Sequence, residues 1–280
     1  MTRIVNNCVA LVCLCLFWGQ SLRAADASHS EQIKWGNESV FNEEHNTLGL
    51  FSGVLGGQIV LAGGTSDDYS RWGRNAVCLS ENAGFALYED VLSKPLAYGA
   101  SITLSDGILC IGGRDSSQCY EDVFLVTMQQ GKLNVSEDWP PLPFPLSNAA
   151  GALLDNKVYL FGGRKSVSPS RLSDSFFVLD LSNKSRGWKE LPGYPGCVRE
   201  DAILVVQNNG VSPCLYLLGG QTETEEGLSS CLTDGYVYNP QLGKWSSLGS
   251  DFPKGICAAV ASGANHILLF SERAGRYTAS

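Results

Sequence analysis

The sequence predicts an all-β protein, a β-propeller with four full blades and a partial fifth, and two observations predict it. The first is a repeat. Four apolar runs, IVLAGG, ILCIGG, VYLFGG and LYLLGG, close on glycine pairs at Gly63-Gly64, Gly112-Gly113, Gly162-Gly163 and Gly219-Gly220, spaced by 49, 50 and 57 residues. A period of this size marks a repeat architecture. The second is that each pair sits inside the same series of short β-forming segments separated by turn residues, four to a unit, which is the pattern of a propeller blade.

Each unit opens with a small, glycine- or alanine-rich strand: SGVLG, YGASITL, NAAGALL and EDAILVV. Small residues let an innermost strand crowd the central axis. A short turn (GGQ, SDG, DNK) leads to the apolar strand that ends in the glycine pair. Glycine there permits positive φ and close backbone approach. A polar loop then leads to a third strand, RNAVCLS, EDVFLV, DSFFVLDL or DGYVYNP, and three units add a tryptophan-bearing fourth, DWPPLP, GWKELP and KWSSLGSDFP. The tryptophans are expected to pack between blades.

The fifth apolar run, Ile267 to Phe270, ends on Ser271 and Glu272 instead of glycines. Residues 255–270 are expected to supply an inner strand and its neighbour. The segment IKWGNES (Ile33 to Ser39) reads as an outermost strand without its blade, and Ile33 to Trp35 are expected to pair with the C-terminal edge as a short three-stranded blade, or to stay unpaired facing a gap. A six-bladed parent with an incomplete ring would expose apolar inter-blade faces, so self-association through the open edge is expected.

The first 25 residues stand apart from the repeat. Arg3, the apolar stretch Cys8 to Trp18, and the small residues Ala24 and Ala25 have the layout of a secretory signal. The expectation is a signal peptide over 1–25, a propeller domain over 31–280, and a secreted or periplasmic protein. Losing Arg3 and Arg23 takes the net charge from −8 to −10. An acidic domain without a basic stripe argues against nucleic acid as a partner. No other stretch is long enough to span a bilayer, so no membrane association is expected once the signal is gone. Seven cysteines remain, Cys78, Cys110, Cys119, Cys197, Cys214, Cys231 and Cys257, with no C-x-x-C pair, which makes a zinc site improbable. Cys110 and Cys214 read as buried thiols; one or two disulfides among the rest stay open.

The glycine pairs in register with the tryptophan strands resemble the kelch repeat, over about residues 49–270. Longer stretches narrow the resemblance. GLFSGVLGGQIVLAGG, PLAYGASITLSDGILCIGG, LPFPLSNAAGALLDNKVYLFGG and PGCVREDAILVV are similar to the sialic acid mutarotases (N-acetylneuraminate epimerases), in the blade order of their cyclically permuted members. That resemblance implies anomer interconversion of an acidic sugar, with no metal or cofactor. The chemistry needs a carboxylate of tuned pKa and a partner acid, and an arginine fork suits the sugar's carboxylate.

The family's catalytic motif, of the form N-G-E-x-K-P-G-x-R-T, is absent from these 280 residues, so the resemblance assigns no catalytic residue here and implies impaired activity. What it leaves is a set of candidates for substrate binding. Arg199 matches the family's Pro-Arg-Asp arginine, and Tyr98 and Asn148 occupy comparable positions in their own blades. Glu200 and Asp201 follow Arg199, and strand alternation should turn one of them away. Leu96 stands where the family usually has arginine, and the loop TSDDYSRWGRN is compact where the family's is longer. The rival reading is a non-catalytic secreted propeller that binds a glycan or protein, with Arg114, Arg164 and Arg171 as loop contacts. Three scattered histidines, His29, His45 and His266, exclude a copper site of the galactose-oxidase kind.

Overall fold

A computed structural model describes residues 48–80, 84–224, 226–273 and 276–279. The expected signal segment and Ile33 to Ser39 lie outside these residues.

Five antiparallel sheets follow one another along the chain. Blade 1 runs Leu48–Leu55, Gln58–Thr65, Ala76–Ser80 and Gly84–Tyr88 from the inside outward. Blade 2 has Ala100–Thr103, Ile108–Ile111, Val123–Gln129 and Lys132–Ser136. Blade 3 has Ala150–Leu154, Lys157–Phe161, Phe176–Asp180 and the short Lys189–Glu190. Blade 4 has Ile203–Asn208, Pro213–Leu218, Gly235–Asn239 and Lys244–Gly249. Blade 5 has three strands, Ile256–Ser262, His266–Arg273 and Arg276–Ala279. The all-β propeller with four full blades and a shorter fifth is the fold. Its third strand in blade 5 went unforeseen.

Two details differ from the sequence reading. Blade 1 has a fourth strand, Gly84–Tyr88, that carries no tryptophan. In blades 2 and 3 the tryptophan flanks the outer strand: Trp139 follows Ser136 and Trp188 precedes Lys189, while Trp245 lies within its strand. The ring needs a large side chain at the outer end of the blade interface, and a flanking turn delivers it as well as a strand does.

Apolar packing joins each blade to the next. Phe51, Val60 and Ala76 of blade 1 pack with Ile108, Cys110 and Phe124 of blade 2. Blades 2 and 3 share Ile102, Leu109, Val158 and Phe177, with Trp139 and Trp188 against them. Trp188 Nε1 also donates to the Pro140 carbonyl at 3.0 Å. Blades 3 and 4 meet through Tyr159, Phe161, Phe176, Leu215 and Tyr238, with Trp245 at its edge. Blades 4 and 5 meet through Leu218, Ile256 and Leu269, and Gln207 Nε2 donates to the His266 carbonyl at 2.5 Å. Among the described residues, no cluster of this kind joins blade 1 to blade 5.

The outer faces of those two blades form clusters of their own: Ile59, Leu61, Val77 and Leu79 on blade 1, Cys257, Ala258 and Phe270 on blade 5. These side chains are buried, so the expected exposure of apolar inter-blade faces is not found there. The exposed apolar groups of blade 1 are Phe85 and Leu87 on its outer strand. Cys78, Cys110, Cys119 and Cys214 are free and buried, Cys197 and Cys231 free and exposed, and Cys257 is buried with its Sγ donating to the Phe270 carbonyl at 3.2 Å. Among the described residues, no helix is long and apolar enough to cross a membrane.

The glycine pairs do more than end a strand. Both members have positive φ, +63° and +103° at Gly112 and Gly113, for example. A Cβ on Gly112 would lie 2.2 Å from the Leu146 carbonyl oxygen, and one on Gly162 2.6 Å from that of Arg199. In the first three pairs the second glycine donates its N–H to the segment leading into the next blade: Gly64 to Leu96, Gly113 to Leu146, and Gly163 to Arg199, each at 2.8 Å. The glycine pair is thus a staple between consecutive blades, and a side chain at its first position would push the blades apart.

Candidate functional site

Two residues after each stapled carbonyl the chain turns sharply into the inner strand. Tyr98, Asn148 and Asp201 occupy that turn with φ of 61°, 55° and 52°, and Gly49 does so in blade 1 with φ of 65°. Their backbones are linked in series. Tyr98 N donates to Gly49 O at 2.7 Å, Asn148 N to Tyr98 O at 2.6 Å, and Asp201 N to Asn148 O at 3.0 Å. This belt of hydrogen bonds runs around one end of the propeller, where the loops from second to third strand also emerge. Below it lies a channel cavity of about 300 Å³ lined by Tyr98, Asn148 and Asp201 together with Ser52, Ser101 and Cys257. Small side chains are required further in: a Cβ on Gly53 would lie 2.6 Å from the Ile108 side chain.

Side chains tighten the belt. Asn148 Nδ2 donates to Asp201 Oδ1 at 2.9 Å. Asp201 reaches solvent through the channel but sits deep within the ring, and this burial, reinforced by the neighbouring Glu200, raises its carboxyl pKa to about 6. The Asn148 hydrogen bond and the Arg164 and Arg114 charges act the other way without overcoming it. Burial likewise raises the Tyr98 phenol, so it stays a neutral hydroxyl; it donates to the Tyr69 hydroxyl at 3.4 Å.

The four candidate arginines have different fates. Arg199 does not face the channel, which corrects the sequence expectation. Its side chain is 0% exposed. Nη1 and Nη2 each donate to an Asp234 carboxylate oxygen at 2.8 Å, Nη1 also to Gly219 O at 2.8 Å, and Nε to the Tyr194 hydroxyl at 2.8 Å. The reason is positional. Arg199 stands where blades 2 and 3 have the buried Leu96 and Leu146, the residue whose carbonyl receives the glycine staple. A cation in that core position needs an anionic partner, and the half-buried Asp234 supplies it. Burial opposes ionisation of Asp234, but the Arg199 hydrogen bonds outweigh it and hold its pKa below the ordinary carboxylate value.

Arg164 is also occupied. It forms an ion pair with Glu200 and another with Glu223 at 3.1 Å, and its Nη1 donates to Ser170. Of the adjacent acids, Glu200 therefore turns to the loop arginine and Asp201 to the channel. Arg171 is exposed on the far strand of the same hairpin, Arg171–Leu172. Arg114 is different. Its Cζ lies 4.7 Å from the centre of the Tyr98 ring and 5.1 Å from that of Trp72. Its side-chain hydrogen bond is a 3.4 Å contact to the Asp115 carbonyl. Among the described residues no carboxylate pairs with it. Trp72 is fixed in turn by a bridge to Thr65 and by an Nε1 hydrogen bond to Tyr69 O at 3.1 Å.

The structure thus brings Tyr98 and Asn148 together with Asp201 on the channel, packs Arg114 against the Tyr98 ring, and buries Arg199 in the core. The signal that could have found Asp201 was its place directly before the small residue that opens the inner strand. Asp201 precedes Ala202 as Tyr98 precedes Gly99 and Asn148 precedes Ala149, and Arg199 then falls in step with Leu96 and Leu146, whereas the longer hairpin of blade 4 shifts the count from its glycine pair.

Known proteins share parts of this chain. Residues 139–273 match the sequence profile of the family described as N-acetylneuraminate epimerase. The chain is 30% identical over 139 residues to an N-acetylneuraminate epimerase of Yersinia pestis (strain Pestoides F), covering 48% of this chain and 33% of that protein. It is 31% identical over 131 residues to one of Haemophilus influenzae (strain PittEE), covering 47% and 32%. A kelch domain-containing protein of Vibrio cholerae is 31% identical over 121 residues, covering 43% and 31%. The chain therefore spans about a third of the length of these relatives. A solved structure titled "Structure of YjhT" superposes with a TM-score of 0.60 at 13% identity, covering 83% of each chain, which is a likeness of fold. The profile match takes in blades 3 to 5 and leaves Tyr98 and Arg114 outside it. The chain is a β-propeller whose residues 139–273 match the N-acetylneuraminate epimerase family and part of whose length is similar to a kelch domain-containing protein.

Proposed function

We propose that this protein binds a small acidic sugar of the sialic acid class at the channel mouth. The observation that carries the reading is the belt itself: Tyr98, Asn148 and Asp201, from three consecutive blades, converge on one cavity at the loop end of the propeller. Hydroxyl, amide and carboxyl groups in a ring suit the hydroxyls and acylamino group of such a sugar. The family relationship supports the sugar class. The 280-residue chain interconverts the anomers at a rate close to background. The glutamate and arginine motif that the resembling family uses is not among its residues, and removing a general acid or base costs about 10²–10⁴-fold in rate.

Titration calorimetry with N-acetylneuraminic acid, run beside anomer exchange followed by NMR, tests both halves. Binding that weakens at least fivefold in Asn148→Ala, without exchange above the buffer rate, is the expected result. Rapid exchange would show that the belt holds a working base, with Asp201 the first residue to remove; absence of binding would sink the sugar reading.

The same reading places the protein outside the cytoplasm. Arg3, the apolar Cys8–Trp18 and Ala24-Ala25 support cleavage after Ala24 or Ala25. Mass spectrometry of the mature N-terminus checks it, and an intact Met1 on the soluble protein would count against export.

A further inference from the structure

Arginine forks recognise carboxylates when their donors are not already spent. At the channel mouth that condition singles out one residue. Arg199 spends its guanidinium on Asp234, Gly219 and Tyr194, and Arg164 spends its own on Glu200, Glu223 and Ser170. Arg114 has aromatic faces against it and, among the described residues, no acidic partner. Aromatic contact holds a guanidinium in place without consuming the in-plane N–H groups that would meet an anion.

We propose that Arg114, packed in the corner formed by Trp72 and Tyr98, is the carboxylate-binding group of this site, and that Trp72 and Tyr69 extend it as an aromatic platform for the apolar face of a sugar ring. The assignment rests on the sugar-binding reading above for the identity of the ligand. Geometry supports the arrangement. Tyr98 touches both parts, since its ring packs on Arg114 while its backbone belongs to the belt. The Trp72 and Tyr98 ring centres are 6.4 Å apart at 61°, and those of Tyr69 and Trp72 6.5 Å apart. Tyr69 is 44% exposed although it is aromatic, and its φ is 60°, so the loop presents a ring to solvent in the left-handed region. An acid held by Arg114 would lie on the blade 1–2 side of the mouth with its hydroxyls toward Asn148 and Asp201.

The experiment follows the Arg114 Nε–Hε signal in ¹⁵N NMR, assigned by its loss in Arg114→Lys, while three probes are added: N-acetylneuraminic acid, its methyl ester, and acetate. The expected result is a shift with the acid and with acetate but not with the ester, and acid affinity at least tenfold weaker in Arg114→Ala with ester affinity unchanged. Equal binding of acid and ester, with belt amides moving and Arg114 still, would overturn the assignment and leave the sugar reading standing. If neither sugar binds, the sugar reading fails, and acetate decides the rest: a saturable Arg114 shift upholds the anion site, no shift overturns it. Trp72→Phe should retain most of the acid preference and Trp72→Ala lose it, which separates the clamp from mere folding.

Discussion

Asn148 donates its side-chain amide to Oδ1 of Asp201 at 2.9 Å, and Asp201 returns a backbone N–H to the Asn148 carbonyl at 3.0 Å. The pair ties blades 3 and 4 at the channel mouth. It also leaves a carboxyl whose pKa is raised to about 6 facing the ligand space.

Affinity for an acidic sugar should therefore fall as pH rises through about 6. Below that value Asp201 is neutral and can donate or accept a hydrogen bond; above it, its charge opposes the ligand carboxylate, by about 1 kcal/mol were the two about 4 Å apart in a water-like medium and by less at the longer separation of an acid held by Arg114. Asp201→Asn should flatten the profile, while Asp201 itself gives a drop of up to a few fold between pH 5 and pH 7 by calorimetry. Stability has the same sign. An acid whose folded pKa exceeds its unfolded value favours the folded state most when protonated, so this contribution declines as pH rises from about 4 to about 6 and is level beyond.

Arg199 and Asp234 should behave as a structural pair. Breaking a buried ion pair from one side costs about 3–5 kcal/mol, with the lower end expected because Asp234 is partly exposed. Arg199→Ala should lower the urea midpoint substantially, and Arg199→Met should recover part of the loss. Because the folded pKa of Asp234 is depressed, its stabilisation is present above the unfolded carboxylate range and is lost as pH falls through the folded value. A full-stability Arg199→Ala with weakened sugar binding would return this arginine to the site.

Gly112→Ala should destabilise by about 2 kcal/mol or more, combining a left-handed backbone with a Cβ at 2.2 Å from the Leu146 carbonyl. Gly131→Ala, at φ 75° with open space around it, carries the backbone cost alone. The difference between their thermal midpoints measures the staple.

Trp245 packs against Phe161, Phe176, Tyr194 and Tyr238. Its Nε1 is buried without a hydrogen-bond partner. Trp245→Phe should thus cost little, under about 1.5 kcal/mol, because the lost area is offset by removal of an unsatisfied donor. Trp245→Ala should cost about 3–5 kcal/mol. Chemical denaturation of both variants checks the contrast.

The blades were legible in the sequence because four glycine pairs in register with small, alternating inner strands impose one geometry, and the three inner strands of blades 1 to 4 fell where the repeat put them. Strand Gly84–Tyr88 escaped because GFALY has no tryptophan to mark it, and Arg276–Ala279 because it follows the last apolar run. The site was legible only in part. Tyr98 and Asn148 follow from their place at the inner-strand turn. Arg199 misled because its residue type suits a carboxylate ligand while its register puts it in the core. The sequence offers Arg114 only alongside Arg164 and Arg171 as a loop contact; what sets it apart is the absence of an acidic partner among the described residues, which depends on where Glu200 and Glu223 go in space.

Backbone amide shift mapping during titration with N-acetylneuraminic acid tests the central claim most directly. The account predicts saturable changes concentrated at Gly49, Tyr98, Asn148 and Asp201 and spreading to the Trp72–Arg114 side of the mouth. Changes centred instead on the peripheral cavity beside Lys94 and Trp139, or no change at millimolar sugar, would contradict it.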